Sequence, residues 1–240
     1  MPEGTRAPAP GGAVASPRPD GLAALVGALD EGGSALDQAI AVLRWDATDA
    51  DLAAAGVTDA ADFPLGTADR ILLGAYERAL GRTLERTVAC PACGEWTTLP
   101  LSRASVGEYC PRSAWSGPGA GVREPSYADL HAAGGDADVL LARCAVGPAA
   151  TLDDLGRAEG SLCGPLLSTC VACGVPLVDD VDVLGLVLAG LVELRAELDW
   201  QLHLLATAYG WDPPTIDALP DSRRRRLADL VASVPGRLGR

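Results

Sequence analysis

The chain has 240 residues, 48% apolar and 21% charged, a composition that folds and leaves room for one large domain or two small ones. Its net charge of −13 and aromatic content of 4% argue against a nucleic-acid-binding protein, which must neutralise phosphates and stack bases. No apolar run approaches the roughly 20 residues of a membrane helix and no secretory signal is visible, so we expect a cytoplasmic protein whose seven cysteines are thiols or metal ligands.

The N-terminal part divides into a leader and a helical segment. Residues 1–20 are dominated by proline, glycine and alanine without apolar periodicity, which predicts a disordered leader. Ser34 and Asp37 have the spacing of a capping box, so a helix is predicted to begin there. We expect an N-terminal helical region over residues 21–86.

A further helix of this region is predicted from its two ends. Thr67 can cap it, with Asp69 in its positive first turn. Gly81 supplies the C-terminal stop.

Two cysteine knuckles come next, CPACG at 90–94 and CVACG at 170–174, each between short β-prone runs. Two thiolates two residues apart can hold one ion from a tight turn, and the glycine after them permits a left-handed backbone. Segments 87–100 and 164–179 are therefore predicted to be the two halves of a zinc-ribbon-like element.

The knuckle chemistry predicts one structural Zn²⁺, because four thiolates form the closed tetrahedral set of such sites. A catalytic zinc would keep an open position, and the two histidines of the chain form no HExxH motif. Two redox pairs, or metal-free remnants of knuckles, are the alternatives. The predicted zinc ligands are Cys90, Cys93, Cys170 and Cys173.

Because 76 residues lie between Cys93 and Cys170, residues 101–163 are predicted to form an inserted subdomain, and closing that loop costs roughly 4 kcal/mol of chain entropy. Its first part, Ser102 to Arg123, is rich in glycine, proline and serine and has no assigned element. Helix starts are predicted at the capping boxes Ser126/Asp129 and Thr151/Asp154 and at Asp136.

A C-terminal helical region is predicted over residues 180–235. Its longest helix runs from about Asp180 to Tyr209, a short helix restarts at Asp212, and a final helix runs from about Asp221. The side chains expected to face inward on the final helix are Leu227, Leu230, Val231 and Val234.

Three further cysteines, Cys110, Cys144 and Cys163, are expected to be buried apolar side chains or incidental thiols. Cys163 lies near the second knuckle and is the first substitute if one of the four ligands is wrong. His203, beside the apolar stripe of the long helix, is expected to be a hydrogen-bonded packing residue.

The one basic cluster is in the last predicted helix. Residues 223–240 carry a net charge of +5, against −18 for the first 222 residues. The cluster is a docking site for an acidic surface, belonging to this chain or to a partner, or it is a solvated helix face. Nucleic-acid binding is a weaker third alternative, because the rest of the molecule would repel nucleic acid. The residues of the cluster are Arg223, Arg224, Arg225 and Arg226.

The order of motifs resembles the baseplate hub protein family of contractile-tailed phages, which also occurs in phage-tail-like injection particles. The paired knuckles match the CPxCG pair of that family, and Gln201 stands where the family usually has glutamate. The other segments that carry the resemblance, which spans about residues 35–231, are Ala35–Leu43, Pro64–Gly81, Arg123–Leu130, Leu140–Cys144, His203–Ala206, Tyr209–Trp211, Ile216, Leu219–Pro220 and Arg223–Arg226.

The resemblance implies a non-enzymatic structural or assembly role in the baseplate of a contractile particle. Its partners would be other baseplate or hub proteins, such as spike, tube-initiating or wedge subunits. From the composition we expect no membrane partner, and the net charge disfavours nucleic acid as a partner. Two rival functions remain: a zinc-ribbon adaptor in transcription or translation, and an enzyme that uses a thiol such as Cys110 or Cys163. The predicted fold is mainly α with a small β zinc-ribbon-like element (α+β) and a helical insert between the knuckles.

Overall fold

A computed structural model describes Leu25, Gly27, Leu29 and residues 33–102, 113–117 and 120–233. Within this part the protein is mainly helical and has three antiparallel two-stranded sheets. The predicted fold class is confirmed, including the zinc-ribbon-like element and the helical insert. The predicted leader, residues 1–20, lies outside the described residues.

Three helices and a short 3-10 turn build much of the largest, first core. The predicted capping box is confirmed, because Ser34 Oγ accepts a hydrogen bond from the Asp37 amide and the Asp37 carboxylate accepts one from the Ser34 amide. A second capping box, at Thr48 and Asp51, begins the next helix. The elements are α1 (Ala35–Asp46), α2 (Asp49–Ala55), the turn Ala60–Asp62 and α3 (Leu65–Leu80).

Helix α3 starts earlier than its sequence indicated. The predicted cap at Thr67 is wrong, because the Pro64 carbonyl accepts the Ala68 amide and the helix begins at Leu65, which packs into the first core. Asp69 therefore lies in the second turn and is fully buried. The predicted stop at Gly81 is confirmed, with a left-handed φ of 65°.

The first knuckle joins two strands. β1 (Leu84–Ala89) pairs antiparallel with β2 (Trp96–Leu101), and the knuckle forms the connecting turn. We call this unit hairpin 1. Its open end is anchored in the first core by Leu84 and Leu101.

The insert between the knuckles contains a β-hairpin and three helices. The hairpin lies in the stretch that had no assigned element, and all three predicted helix starts are confirmed. A small core of its own contains Val122, Cys144, Leu155 and Ala158. The elements are β3 (Ser113–Gly117), β4 (Ala120–Arg123), α4 (Tyr127–Ala133), α5 (Ala137–Cys144) and α6 (Leu152–Ala158).

The second knuckle repeats the first. β5 (Gly164–Thr169) pairs antiparallel with β6 (Pro176–Val181), and each ladder pair has a counterpart in hairpin 1 that is 80 residues earlier in the sequence. We call this unit hairpin 2. Its Val181 is buried in the first core, as Leu101 is in hairpin 1.

One long helix connects the first core to a second core near the C-terminus. The N-terminal part of this helix packs in the first core and its C-terminal part in the second, whereas residues 192–200 are exposed or half-buried. The predicted helix restarts at Asp212 and Asp221 are confirmed. The elements are α7 (Val183–Tyr209), α8 (Pro213–Asp217) and α9 (Asp221–Ala232).

Helix α9 packs partly through the face that its sequence indicated. Val231 is buried and Leu227 packs against the second core, as predicted. Ala228 and Val231 are buried in the second core, but Leu230 is 51% exposed, so its predicted inward position is wrong. The 100° step between residues places Leu230 on the other side of the helix from this pair. Val234 lies outside the described residues. Among the described helices, none is both long enough and apolar enough to cross a membrane.

Candidate metal centre

The two knuckles have the same backbone geometry. The Cys90 amide donates to the Glu95 carbonyl at 2.8 Å, and the Cys170 amide donates to the Val175 carbonyl at 2.9 Å. Gly94 and Gly174 follow with φ of 75° and 71°, the left-handed region that a side chain would strain. The glycine of each CxxCG motif is thus required by the turn that aims the two sulfur atoms at one point.

The structure brings the four predicted cysteines together. The Sγ atoms of Cys90 and Cys173 lie 3.6 Å apart, those of Cys93 and Cys170 lie 3.7 Å apart, and all four lie within 4.8 Å of one another. These are contacts between thiols, since all four cysteines are free. Both short contacts join one hairpin to the other, so the cluster is a cross-link between the hairpins.

The size of the cluster fits a tetrahedral metal ion. Four sulfur atoms placed about 2.3 Å from a central ion lie about 3.8 Å from one another, close to the Sγ–Sγ distances of 3.6 and 3.7 Å between the hairpins. Cys90 and Cys170 are buried, whereas Cys93 and Cys173 are exposed, so the ion would lie at the surface with one side covered by protein. These four cysteines can therefore hold a metal ion between the hairpin tips.

Electrostatics give Cys93 and Cys170 unequal acidity. Amide hydrogen bonds from Cys173 and Ala172 lower the pKa of Cys170 to about 6. The Glu95 amide also stabilises the Cys93 thiolate, but the neighbouring sulfur atoms outweigh it and raise the pKa of Cys93 to about 12. Four thiolates this close repel one another, and a bound cation would remove that repulsion.

An ion pair also joins the two hairpins. Arg86 of β1 donates from Nε to Oδ2 of Asp179 on β6 at 2.6 Å. The guanidinium lowers the pKa of Asp179. Arg86 lies on the strand before the first knuckle, and Asp179 lies on the strand after the second knuckle. The pair therefore joins the two hairpins at a point away from the sulfur cluster.

Cys144 and Cys163 lie apart from the cluster. Cys144 is buried against Asp129, and burial raises its pKa to about 11. Cys163 lies at the base of hairpin 2, where its Sγ is 3.7 Å from Asp182 Oδ1 and burial raises its pKa. A raised pKa disfavours the thiolate, which is the form that a cysteine nucleophile uses. Cys110 lies outside the described residues.

The predicted arginine cluster is divided by the fold. Arg224 is buried: it donates to Asp221 at 2.6 Å and to Gln201 at 3.3 Å. It is therefore part of the packing of α9 on α7 and is not available as a docking residue. Arg223, Arg225 and Arg226 are exposed.

His203 does not have the role that its sequence context indicated. The prediction of a hydrogen-bonded packing residue is wrong, because the side chain is exposed on α7. The buried polar residue of this helix is Gln201, two residues earlier, whose side chain forms hydrogen bonds with both Arg224 and Glu197.

Sequence reasoning missed the polar hub at Asp69. Its carboxylate accepts hydrogen bonds from Tyr127 at 2.6 Å, Ser161 at 2.8 Å and the Leu162 amide at 2.7 Å. Burial raises the pKa of Asp69 even though these donors oppose the shift. The hub ties α3 to the start of α4 and to the C-terminal end of the insert. A carboxylate on an apolar helix stripe was the available signal for it.

A second hub holds the insert itself. Asp129, the capping residue of α4, accepts two hydrogen bonds from Arg123, at 2.6 and 3.0 Å, and one from Arg143 at 3.0 Å. Burial opposes ionisation of Asp129, but Arg123 and the Ser126 amide outweigh it and lower the pKa to about 2. This carboxylate joins the β-hairpin of the insert to α4 and α5.

Comparisons of the chain with protein-family models, with curated proteins and with solved structures find no significant match.

Proposed function

We propose that this chain is a non-enzymatic structural or assembly component of the baseplate of a contractile, phage-tail-like particle, stabilised by a structural Zn²⁺. The observation that carries the proposal is the closed four-sulfur cluster. A metal held by four cysteines has no open position for substrate or water, so the strongest chemical site of the chain serves the fold. Function then comes from the surfaces that the fold presents.

Zinc is the proposed metal because of the donor set. Four thiolates in a tetrahedron suit Zn²⁺, with iron as the common competitor. The metal would supply a cross-link between segments 77 residues apart, from Cys93 to Cys170. Such a link gains most when the closed loop is long.

Metal analysis of protein purified without added metal tests the zinc assignment. One zinc per chain and no visible absorption support it, and Cys93→Ser should lose that zinc while Cys163→Ser retains it. Stoichiometric iron, or a fold and stability unchanged by chelation, would contradict it.

The proposed role in a particle rests on the order of the motifs along the chain, which resembles that of the baseplate hub family. The residues of the C-terminal motifs share one structural role. Leu204, Leu205 and Ile216 form the second core, and the Tyr209 and Trp211 rings stack 4.9 Å apart at its edge. These residues keep α8 and α9 folded on α7. These motif residues therefore keep the three C-terminal helices packed together, which gives a partner protein a stable helical surface to bind.

Electron microscopy of a deletion strain tests the role. Loss or truncation of sheathed particles, restored by the intact gene, is the expected result, and particles purified from the complemented strain should contain the chain if it is a permanent component. Normal numbers of contractile particles would contradict the proposal and favour the zinc-ribbon adaptor. The acidic Glu95 directly after the first knuckle and the absence of arginine from both knuckles disfavour a nucleic-acid-binding adaptor.

A further inference from the structure

The outer faces of the two hairpins differ, although their backbones match. On hairpin 2, Leu167 and Val178 lie directly opposite each other, 75% and 64% exposed. The same two positions on hairpin 1 are Thr87 and Thr98, whose hydroxyls form a hydrogen bond of 3.3 Å. Because hairpin 1 is built with threonines here, the metal centre does not require the apolar pair.

The apolar surface of hairpin 2 continues along its length. Pro165 and Pro176 are exposed on the same face, on either side of the Leu167–Val178 pair. At the base of the hairpin, Cys163 and Asp182 lie side by side and also line a cavity of about 450 Å³. The cavity wall is mostly apolar and includes Leu36, Leu130, Leu140, Leu152 and Leu155. We call the hairpin face and this cavity mouth the hairpin 2 surface.

The rim of the hairpin 2 surface is acidic. Asp180 ends the outer face, and Asp182 and Glu159 lie at the cavity mouth, all three exposed. None of the described residues that line the cavity is basic. An apolar surface with this rim is complementary to an apolar surface that carries arginine or lysine.

Helix α9 has such a surface. Arg223, Arg226 and Leu230 are three and four positions apart, so they lie on one helix face, and all three are exposed. The opposite face of the helix packs in the second core through Ala228 and Val231. No ion pair of the described chain engages Arg223 or Arg226.

We propose that the chain associates head to tail with a second copy of itself, the α9 face of one copy docking on the hairpin 2 surface of the next. Leu230 would lie against Leu167 and Val178, with Arg223 and Arg226 opposite the acidic rim. Two different surfaces meet in this contact, so it is heterologous and produces rings or open chains of subunits. The inference goes beyond the proposed function and does not depend on it.

Sedimentation velocity of the metal-loaded full chain at increasing concentration tests the association. Wild type should form species larger than a monomer, and salt should weaken them because the rim contact is ionic. Leu167→Thr with Val178→Thr copies the hairpin 1 pair and should weaken association at least about tenfold without loss of metal. Arg226→Glu should weaken it similarly, whereas Trp96→Thr on hairpin 1 is the matched control and should leave it unchanged.

Two mixtures establish the polarity of the contact. The Leu167→Thr/Val178→Thr variant retains its α9 face and Arg226→Glu retains its hairpin 2 surface, so their mixture should form dimers and nothing larger. Asp180→Arg should weaken association, and combining it with Arg226→Glu in one chain should restore it. A wild-type chain that stays monomeric throughout, or an Arg226→Glu variant that associates like wild type, overturns the proposal.

Discussion

Hairpins 1 and 2 share one backbone but have different outer faces. Both carry CxxCG turns with the same hydrogen bonds, and in both the alternate strand residues point towards the protein. Where hairpin 1 has a threonine pair facing solvent, hairpin 2 has leucine and valine. Hairpin 1 has its own exposed apolar side chain, Trp96, where hairpin 2 has Pro176. The comparison separates the requirements of the metal centre, which both hairpins meet, from the exposed leucine–valine pair that only hairpin 2 has.

The inner faces are also not interchangeable. Arg86 of hairpin 1 meets Asp179 of hairpin 2, but the counterparts of these residues in the repeat are Leu166 and Leu99. One ion pair therefore replaces the two identical contacts that a symmetric pair of hairpins would have. It favours one arrangement of the hairpins around the sulfur cluster.

The largest effect should come from breaking the cluster, and it should be the same from either hairpin. Cys90→Ser and Cys170→Ser should each lose the metal and at least about 4 kcal/mol of unfolding free energy, because metal binding no longer offsets the chain entropy lost when the loop between the knuckles closes. Urea unfolding and metal analysis measure this, with Cys163→Ser as control. A large difference between Cys90→Ser and Cys170→Ser would show that the hairpins are not equivalent partners of the metal.

The next largest loss of stability should come from a substitution in the insert. It provides a reference for the hairpin variants, because it leaves the hairpins unchanged. Asp129→Asn should cost about 1 to 2 kcal/mol at pH 7 while the metal is retained. The pKa of Asp129 is lowered to about 2 in the fold, so its contribution is complete above its ordinary value near 3.8 and is lost as the pH falls towards 2. Urea unfolding of both proteins should show their difference shrinking over that range, and a constant difference would contradict the assignment.

A smaller, equal effect is expected at the two knuckle glycines. Gly94→Ala and Gly174→Ala should each cost about 1 kcal/mol, from backbone strain alone, because no atom lies within 4 Å of the added Cβ. Gly156→Ala, in helix α6 with the same open space, is the control and should stabilise slightly. Thermal unfolding measures all three, and unequal effects at the knuckles would mean that the turns differ in solution.

The smallest effect should come from the ion pair between the hairpins. Asp179→Asn should lower stability slightly in low salt and less in high salt, because both partners are at the surface. Asp180→Asn, one residue along and facing outward, is the matched control. Equal melting temperatures for these two variants at low salt would show that the Arg86 pair does not orient the hairpins.

Local patterns in the sequence predicted most of the elements. The CxxCG turns and the capping boxes at Ser34, Ser126 and Thr151 each depend on residues within about five positions, so they could be read without the fold. The cysteine pairs also predicted one another, since a metal needs all four. The strands β3 and β4 were missed because glycine and proline obscure their alternation.

Features that depend on tertiary packing could not be predicted this way. From the sequence, Asp69 is predicted to be a carboxylate in the first turn of a helix. Its buried position depends on hydrogen bonds from Tyr127 and Ser161, which are distant in sequence. The arginine run gives no sign that Arg224 is drawn inward by Gln201, or that Leu230 is turned outward. Periodicity placed Leu227 and Val231 correctly against the second core, but the packing of α9 on α7 decides that Leu230 stays outside it.

The exposed middle of α7 makes that helix a lever. Twenty-seven residues span about 40 Å, with one end fixed in the first core and the other carrying α8 and α9. A tilt of about 5° at the first core would move the far end by about 3.5 Å over that length. A force that a partner exerts on the arginines of α9 would bend the helix at residues 192–200. The stiffness of this stretch therefore sets how closely the movements of the two ends are coupled.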